Sequence, residues 1–407
     1  LDTIEDTRNR AIKISAAAVV AMCLSLVLCL HLRAAGPAQP GITDKQILIG
    51  SCCVLSGPAM ELGTQQLQGA QAYISHINDT GGIDGRKIVI KKYDDGYEPD
   101  KAIRAFTSML ADNCFAAAFF VGTPTAAKYV VMAEDHKVPI IGLFTGAQLL
   151  HDPFRPHIMS VRASYFDETR GLMQHVWKDL GPQKVGVIYQ NDAFGSAVLT
   201  GVQRALDALQ SKPVATGSFA RNTLDVDKAI GEVKQAKPDL VVLVGPYAPV
   251  AEILKRSHAL GWHPMFCTVS FVGTEALIKA AGKDAEGMVI SQVVPPLSRD
   301  DLPAVMQFKK LLKQYYPSAT PTFCSFEGFV DAMVLVDGLK QAGPNPTREK
   351  LISALESFHD KDLGLGPALK LSYGPNRHKG FDQVYTTVIR SGQPIAFINW
   401  KLVKPKQ

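Results

Sequence analysis

Ile47-Leu48-Ile49-Gly50-Ser51-Cys52-Cys53 is a short apolar run, and beyond the break at Leu55-Ser56-Gly57-Pro58 the chain carries Leu62, Gln66, Ala70, Tyr73, Ile74 and Ile77 along one helical face. Gly81-Gly82 closes that helix. A second β-branched run follows at residues 87–93. The period thus goes from strand to helix and back, which is a βαβ unit with parallel strands. The unit is repeated at once, with strands expected at residues 115–121 and 138–143 and helices at 61–78, 100–111 and 125–135.

A second series begins after residues 158–161. Its strands are expected at 184–189, 214–219, 240–244, 265–268 and 288–293, and its helices at 167–180, 195–210, 225–236 and 249–260. Two runs of βα units predict an α/β chain of two doubly wound parallel-sheet lobes rather than one very large sheet. Past Pro295-Pro296 the pattern turns helical at 303–315, 327–341 and 347–357, then strand-like at 369–372, 383–390 and 394–400.

The composition suits this reading. Of 407 residues 46% are hydrophobic and 20% charged, which is enough apolar material for two large cores. The net charge of +5 comes from interspersed signs. Nucleic-acid binding needs a basic stripe, so no nucleic-acid partner is expected. Arg8, Arg10 and Lys13 precede an uncharged stretch at 14–30, and small residues follow at Ala34, Ala35, Gly36 and Ala38. That order predicts a secretory signal on residues 1–38, cut after Ala35 or Ala38, and a periplasmic mature chain. The alternative is an N-terminal anchor, since an apolar helix of this length spans roughly 26 Å of a ~30 Å hydrocarbon core.

Beyond residue 38 the cysteines are Cys52, Cys53, Cys114, Cys267 and Cys324. An odd count allows at most two disulfides, and spacing leaves their pairing open. There is no CxxC and no Cys/His set at zinc spacing, so these residues read as buried small hydrophobes and no metal is expected. GxSxG, HExxH, GxxxxGK[ST] and a strand-following GxGxxG are all absent. Neither enzymatic activity nor a cofactor is expected.

The informative residues lie where strands end and helices begin, because free backbone N–H groups there favour an anion. In the first lobe these are Leu55-Ser56-Gly57-Pro58, Gly122-Thr123-Pro124-Thr125 and Phe144-Thr145-Gly146-Ala147. Glycine lets a ligand approach the backbone and the hydroxyls add donors. In the second lobe Tyr189-Gln190-Asn191-Asp192, Gly245-Pro246-Tyr247 and Ser270-Phe271 hold the equivalent places. Their aromatic residues suit a small, partly apolar ligand.

Several of these segments, in order, resemble the branched-chain amino-acid binding proteins, the substrate-binding components of ABC importers with the type I periplasmic binding-protein fold. They are Ile47-Leu48-Ile49-Gly50, Leu55-Ser56-Gly57-Pro58, Gly81-Gly82-Ile83-Asp84-Gly85-Arg86-Lys87, Tyr93-Asp94-Asp95, Val138-Pro139-Ile140, Tyr189-Gln190-Asn191-Asp192-Ala193-Phe194-Gly195, Gly261-Trp262 and Glu286-Gly287. The resemblance covers about residues 45–395.

It implies two lobes joined by a three-crossing hinge at Arg162, Val293 and Gly380. Lobe I is then 45–161 plus 294–378, and lobe II is 163–292 plus 382–407. It also implies that a small carboxylate-bearing ligand is trapped between the lobes by a monomer and delivered to an ABC permease with its ATPases. The alternative is a sensory module of the same fold working with a signalling partner. The ligand carboxylate is expected on the loops from Gly122 through Thr123 and Thr125 to Ala126 and from Thr145 through Gly146 to Ala147, with Phe144 beside them, and Tyr247 is expected to face it from lobe II. Tyr165, Asp192 and Phe271 complete the expected wall. Two departures stand out: Ser270 occupies the place of the acid that pairs with an amino-acid ammonium, and Leu62 that of a cleft aromatic. Glu327 or Asp192 is the candidate replacement anchor. Arg162 reads either as a hinge residue that neutralises nearby groups or as a carboxylate ligand.

Overall fold

The structure, a computed structural model, describes residues 39–403. The expected signal on residues 1–38 lies outside them. From residue 41 onward the chain forms a single contact unit built on two sheets. The first contains β1 (Gln46–Cys53), β2 (Lys87–Asp94), β3 (Ala116–Val121), β4 (Ile140–Phe144) and β5 (Ile158–Met159), all parallel, in the order β2-β1-β3-β4-β5. Between them run α1 (Met60–Asp79), α2 (Pro99–Ala111) and α3 (Thr123–Asp135).

The second sheet is laid down by β6 (Val185–Gln190), β7 (Ala215–Phe219), β8 (Leu240–Val244), β9 (Met265–Thr268) and β10 (Val289–Gln292). Its helices are α4 (Tyr165–Leu180), α5 (Ala193–Asp207), α6 (Asp227–Gln235), α7 (Tyr247–Ala259) and α8 (Thr274–Ala281). A C-terminal antiparallel hairpin, β11 (Tyr385–Arg390) and β12 (Gln393–Ala396), extends it to the order β12-β11-β10-β9-β8-β6-β7. In between, α9 (Pro303–Tyr315), α10 (Phe323–Ala342) and α11 (Arg348–Glu356) return to the first sheet, where α10 packs on α1 and β4.

The strands form where the sequence is apolar on both sides. β3 and β8 are buried at every position, as parallel strands covered on both faces must be. One face of the first sheet packs against α2 and α3 through Phe106, Phe120 and Tyr129. The other meets α1 and α10, which cross closely because Gly69 and Gly328 carry no side chain. A Cβ on Gly69 would lie 1.7 Å from the Ser325 carbonyl oxygen. Each large apolar side chain removed from water in these layers contributes roughly 1.5–3 kcal/mol.

Two elements differ from the sequence expectation. Helix α8 was not anticipated, and the strand expected at 369–372 is reduced to one bridge, Lys361 to Leu371. Leu369, Leu371 and Tyr373 are buried alternately against the lobe core and not in a ladder. The five cysteines are free and buried. Among the described residues no helix is long and apolar enough to cross a membrane, and no three His, Cys, Asp or Glu side chains group as metal ligands.

Both sheets have a doubly wound order, so the loops leaving β1 and β3, and those leaving β6 and β8, diverge to opposite faces and open a crevice at the strand C-termini. The chain passes between the sheets three times. Two passes run side by side: Ser160 N–H donates to the His378 carbonyl at 2.9 Å, Gly380 N–H to Ser160 at 2.9 Å and Phe381 N–H to Val161 at 2.9 Å. The third follows β10 through the buried Val293.

Candidate ligand site between the lobes

Helix α3 begins at the end of β3 with Gly122 as its cap, and no side chain caps it. Its first N–H groups have no intrahelical partner by geometry, yet Thr123 and Thr125 are fully buried. Gly122 holds φ at +103°, and a Cβ there would stand 2.4 Å from the Tyr97 ring. Only glycine fits. The Thr123 hydroxyl hydrogen bonds that of Thr145 at 2.7 Å, which ties α3 to the loop after β4. The Tyr165 hydroxyl lies beside both, fully buried, without a well-formed hydrogen bond, and burial pushes its pKa to about 12. Three hydroxyls therefore converge on one uncapped helix start, the arrangement that holds a carboxylate.

Some expected residues are committed elsewhere. Thr125 donates back to the Val121 and Gly122 carbonyls at 2.8 and 3.0 Å. Ala126 spends its N–H on Gly122 and its side chain on the outer apolar layer with Phe120 and Tyr129. Gly146 and Ala147 are buried in the loop, where the Gly146 carbonyl accepts from Tyr165 N–H at 2.7 Å and Ala147 N–H donates to Thr145 Oγ1 at 3.3 Å. Leu62 faces lobe II, so close that a Cβ on Gly273 would be 2.4 Å from it. Asp192 caps α5, accepting from Phe194 and Gly195 N–H at 2.9 and 3.2 Å, and also receives Gln190 Nε2 at 2.6 Å. Tyr247 opens α7 and is half-buried.

The lobe II wall is aromatic. Phe271 lies 4.5 Å from Phe194, 5.5 Å from Phe144 and 6.0 Å from Tyr97 between ring centroids, and Phe194 lies 5.4 Å from Tyr165. Rings from both lobes meet in one cluster. Phe194, Tyr97 and Glu168 were not among the expected site residues.

Behind this cluster sits a buried ionic network. Arg162 is 2% exposed, stacked over Phe144 and Tyr165 at 5.3 and 5.7 Å. Its Nη1 donates to both oxygens of Glu327 at 3.1 and 3.4 Å, and its Nη2 to Glu168 Oε1 at 2.8 Å and to Ser270 Oγ. Glu168 also accepts from Ser270 N–H at 2.8 Å, Ser270 Oγ at 3.1 Å and Ser291 Oγ at 2.6 Å. Burial alone would lower the Arg162 pKa, but Glu327 and Glu168 hold it above its usual value. Burial pushes Glu327 up, partly offset by Arg162. One turn on, Asp331 is raised further by burial and by Glu327, and it accepts from Gln66 Nε2 at 3.1 Å. No acid stands at 270 itself; the Glu168 carboxylate of α4 packs against Ser270 and is paired to Arg162.

Two doubly wound sheets whose strand ends face each other across three crossings define the two-lobed solute-binding architecture. The profile of the periplasmic binding protein family matches residues 46–394. The Leu/Ile/Val-binding protein of Escherichia coli K12 is 23% identical over 253 residues, 61% of this chain and 67% of that one. Among solved structures, a possible leucine/isoleucine/valine-binding protein from Rhodopirellula baltica is 30% identical with a TM-score of 0.84, covering 89% of this chain and 98% of its own. A fatty acid ABC transporter substrate-binding protein from Thermomonospora curvata is 22% identical with a TM-score of 0.80, covering 91% and 97%. The chain belongs to the periplasmic binding protein family, in its branched-chain amino-acid type I group, a family of solute-binding proteins and not of enzymes.

Proposed function

We propose that this protein is the periplasmic substrate-binding component of an ABC importer. It traps a small carboxylate-bearing ligand between lobe I, residues 45–161 plus 294–378, and lobe II, residues 163–292 plus 382–407, and hands it to a permease with its ATPases. Closure turns about the crossings at Arg162, Val293 and Gly380. The observation that carries this reading is the buried, uncapped start of α3 beside the Thr123, Thr145 and Tyr165 hydroxyls. A helix end without caps in a buried interface is costly unless a partner such as an anion completes it. The relatives named for leucine, isoleucine and valine and the neighbour named for fatty acid share a carboxylate, which is the group this end of the site suits.

The test is a thermal-shift screen against pools of aliphatic and aromatic amino acids, amides and carboxylates lacking an amine. A ligand at 100 times its Kd adds about 2.7 kcal/mol of stability, an easily measured rise in Tm. A rise with a carboxylate pool that Thr145→Ala suppresses supports the reading. No rise with any pool counts against it.

A further inference from the structure

Resting on that reading of the cleft, the donors and acceptors around Arg162 decide what the other end of the ligand is. A guanidinium has five N–H donors. In Arg162 the two on Nη1 face Glu327 and the two on Nη2 face Glu168 and Ser270. The fifth, on Nε, is buried and has no partner, and neither has the Tyr165 hydroxyl under the same guanidinium. These groups call for an oxygen acceptor.

The acids give the complementary result. A carboxylate has about four lone-pair positions, and Glu168 fills its own with Arg162, Ser270 N–H, Ser270 Oγ and Ser291 Oγ. Glu327 turns both oxygens to Arg162. Asp192 is spent on its helix cap and Gln190 and lies 3.6 Å from Arg221. Asp331 is bonded to Gln66. Asp95 has a free oxygen, but that residue is fully buried beside Cys53 and Tyr129. Glu168 is thus filled, and although Glu327 and Asp331 take one donor group each, the unpartnered Nε belongs to the buried guanidinium itself. An ammonium placed there would meet a cation in place of an acceptor, at a cost of several kcal/mol.

We propose that the cleft ligand presents a hydrogen-bond-accepting oxygen to Arg162 Nε and Tyr165, so that its class is a carboxylic acid without an α-ammonium, a 2-oxo acid foremost. The carboxylate meets Thr123, Thr145 and the start of α3. The neighbouring oxygen takes the Arg162 and Tyr165 donors, and an aliphatic or aromatic tail lies against Phe144, Phe194 and Phe271.

Isothermal titration of the full-length protein with matched pairs tests this: leucine against 4-methyl-2-oxopentanoate, and phenylalanine against phenylpyruvate, with 4-methylpentanoate as the acid that lacks the second oxygen. The oxo acid of at least one pair is expected to bind tenfold or more tighter than its amino acid and than the unsubstituted acid. Arg162→Lys should erase that preference. Because this change also disturbs a buried network, Tyr165→Phe provides the milder test, expected to cost about tenfold in oxo-acid affinity with Tm unchanged. Equal or tighter binding of the amino acids, an unaffected Tyr165→Phe, or no binding by any of the acids overturns the inference. Amino-acid binding that Thr145→Ala removes does so while leaving the solute-binding reading intact; silence across every pool of the thermal-shift screen removes both.

Discussion

Thr123 and Thr145 join hydroxyls at 2.7 Å, linking the first residue of α3 to the loop after β4, although they are 22 positions apart in the chain. The pair is fully buried and neither hydroxyl belongs to a capping motif. Replacing Thr145 by Ala deletes one donor from the carboxylate end of the site and leaves the sheet intact. Hydrogen bonds to a charged group are worth about 1.5–3 kcal/mol. Thr145→Ala is therefore expected to weaken carboxylate binding tenfold or more in a titration, with a melting temperature within a few degrees of the parent. Unchanged affinity would remove the carboxylate from this loop.

Arg162 and Glu168 carry the stability of the crossing. Glu168→Ala leaves Arg162 with Glu327 as its one acid, beside Ser270 Oγ, and strips acceptors from Ser270 N–H and Ser291 Oγ. Removing one partner of a buried pair typically costs about 3–5 kcal/mol. Urea denaturation should show a loss of that order for Glu168→Ala. Ser291→Ala, which removes one neutral donor, should cost only about 1 kcal/mol. Similar small losses in both variants would mean that the network contributes little.

What the sequence disclosed and what it withheld follow from interaction range. The βαβ repeats were legible because strands such as Leu240–Val244 are buried on both faces and so are apolar throughout, and because α1 shows its period in six residues. The strand-end loops were legible because Gly122 and Thr145 mark local turns. Glu168 was not. In the first turn of α4 an acid is ordinary, since it complements the helix dipole, and its partners Ser270 and Ser291 lie 102 and 123 positions away. The aromatic wall was hidden likewise: Phe194 sits inside a helix start, and only tertiary packing brings it to Phe271. Leu369 and Leu371 misled in the opposite direction, since alternation reports burial on one side and says nothing about a pairing strand.

Glu98 reaches across the interface before α2 begins. It accepts Arg221 Nη2 at 2.8 Å and Asn222 Nδ2 at 2.6 Å, and Arg221 Nη1 stands 3.6 Å from Asp192. This contact joins lobe I to the loop after β7 and exists only while the lobes are together. It is partly exposed, so its contribution to overall stability is small. Glu98→Ala is expected to speed ligand dissociation several-fold in stopped-flow measurements, with association and Tm nearly unchanged, and the difference should shrink in high salt. An unaltered dissociation rate would mean that the latch does not hold the closed state.

Asp95 predicts a pH dependence whose sign is fixed by its surroundings. It is fully buried, and burial raises its pKa from 3.8 to about 7, with Asp94 and Glu98 adding to the rise and the Tyr97 N–H and Lys101 opposing it. A carboxyl that holds its proton more tightly when folded favours folding below its unfolded pKa, and that stabilisation is lost as pH climbs through the folded value. At 1.36 kcal/mol per pKa unit the loss from pH 4 to pH 8 is at most about 4 kcal/mol. Asp95→Asn keeps the oxygen that accepts Tyr97 N–H at 2.8 Å and replaces the oxygen without a partner. Glu275, pushed by burial to about 7 as well, gives both proteins a residual slope of the same sign. The quantity to measure is therefore the difference between parent and variant in urea denaturation at pH 5, 6, 7 and 8. The variant should gain on the parent steadily as pH rises; parallel curves would show that Asp95 does not change its protonation on unfolding in this range.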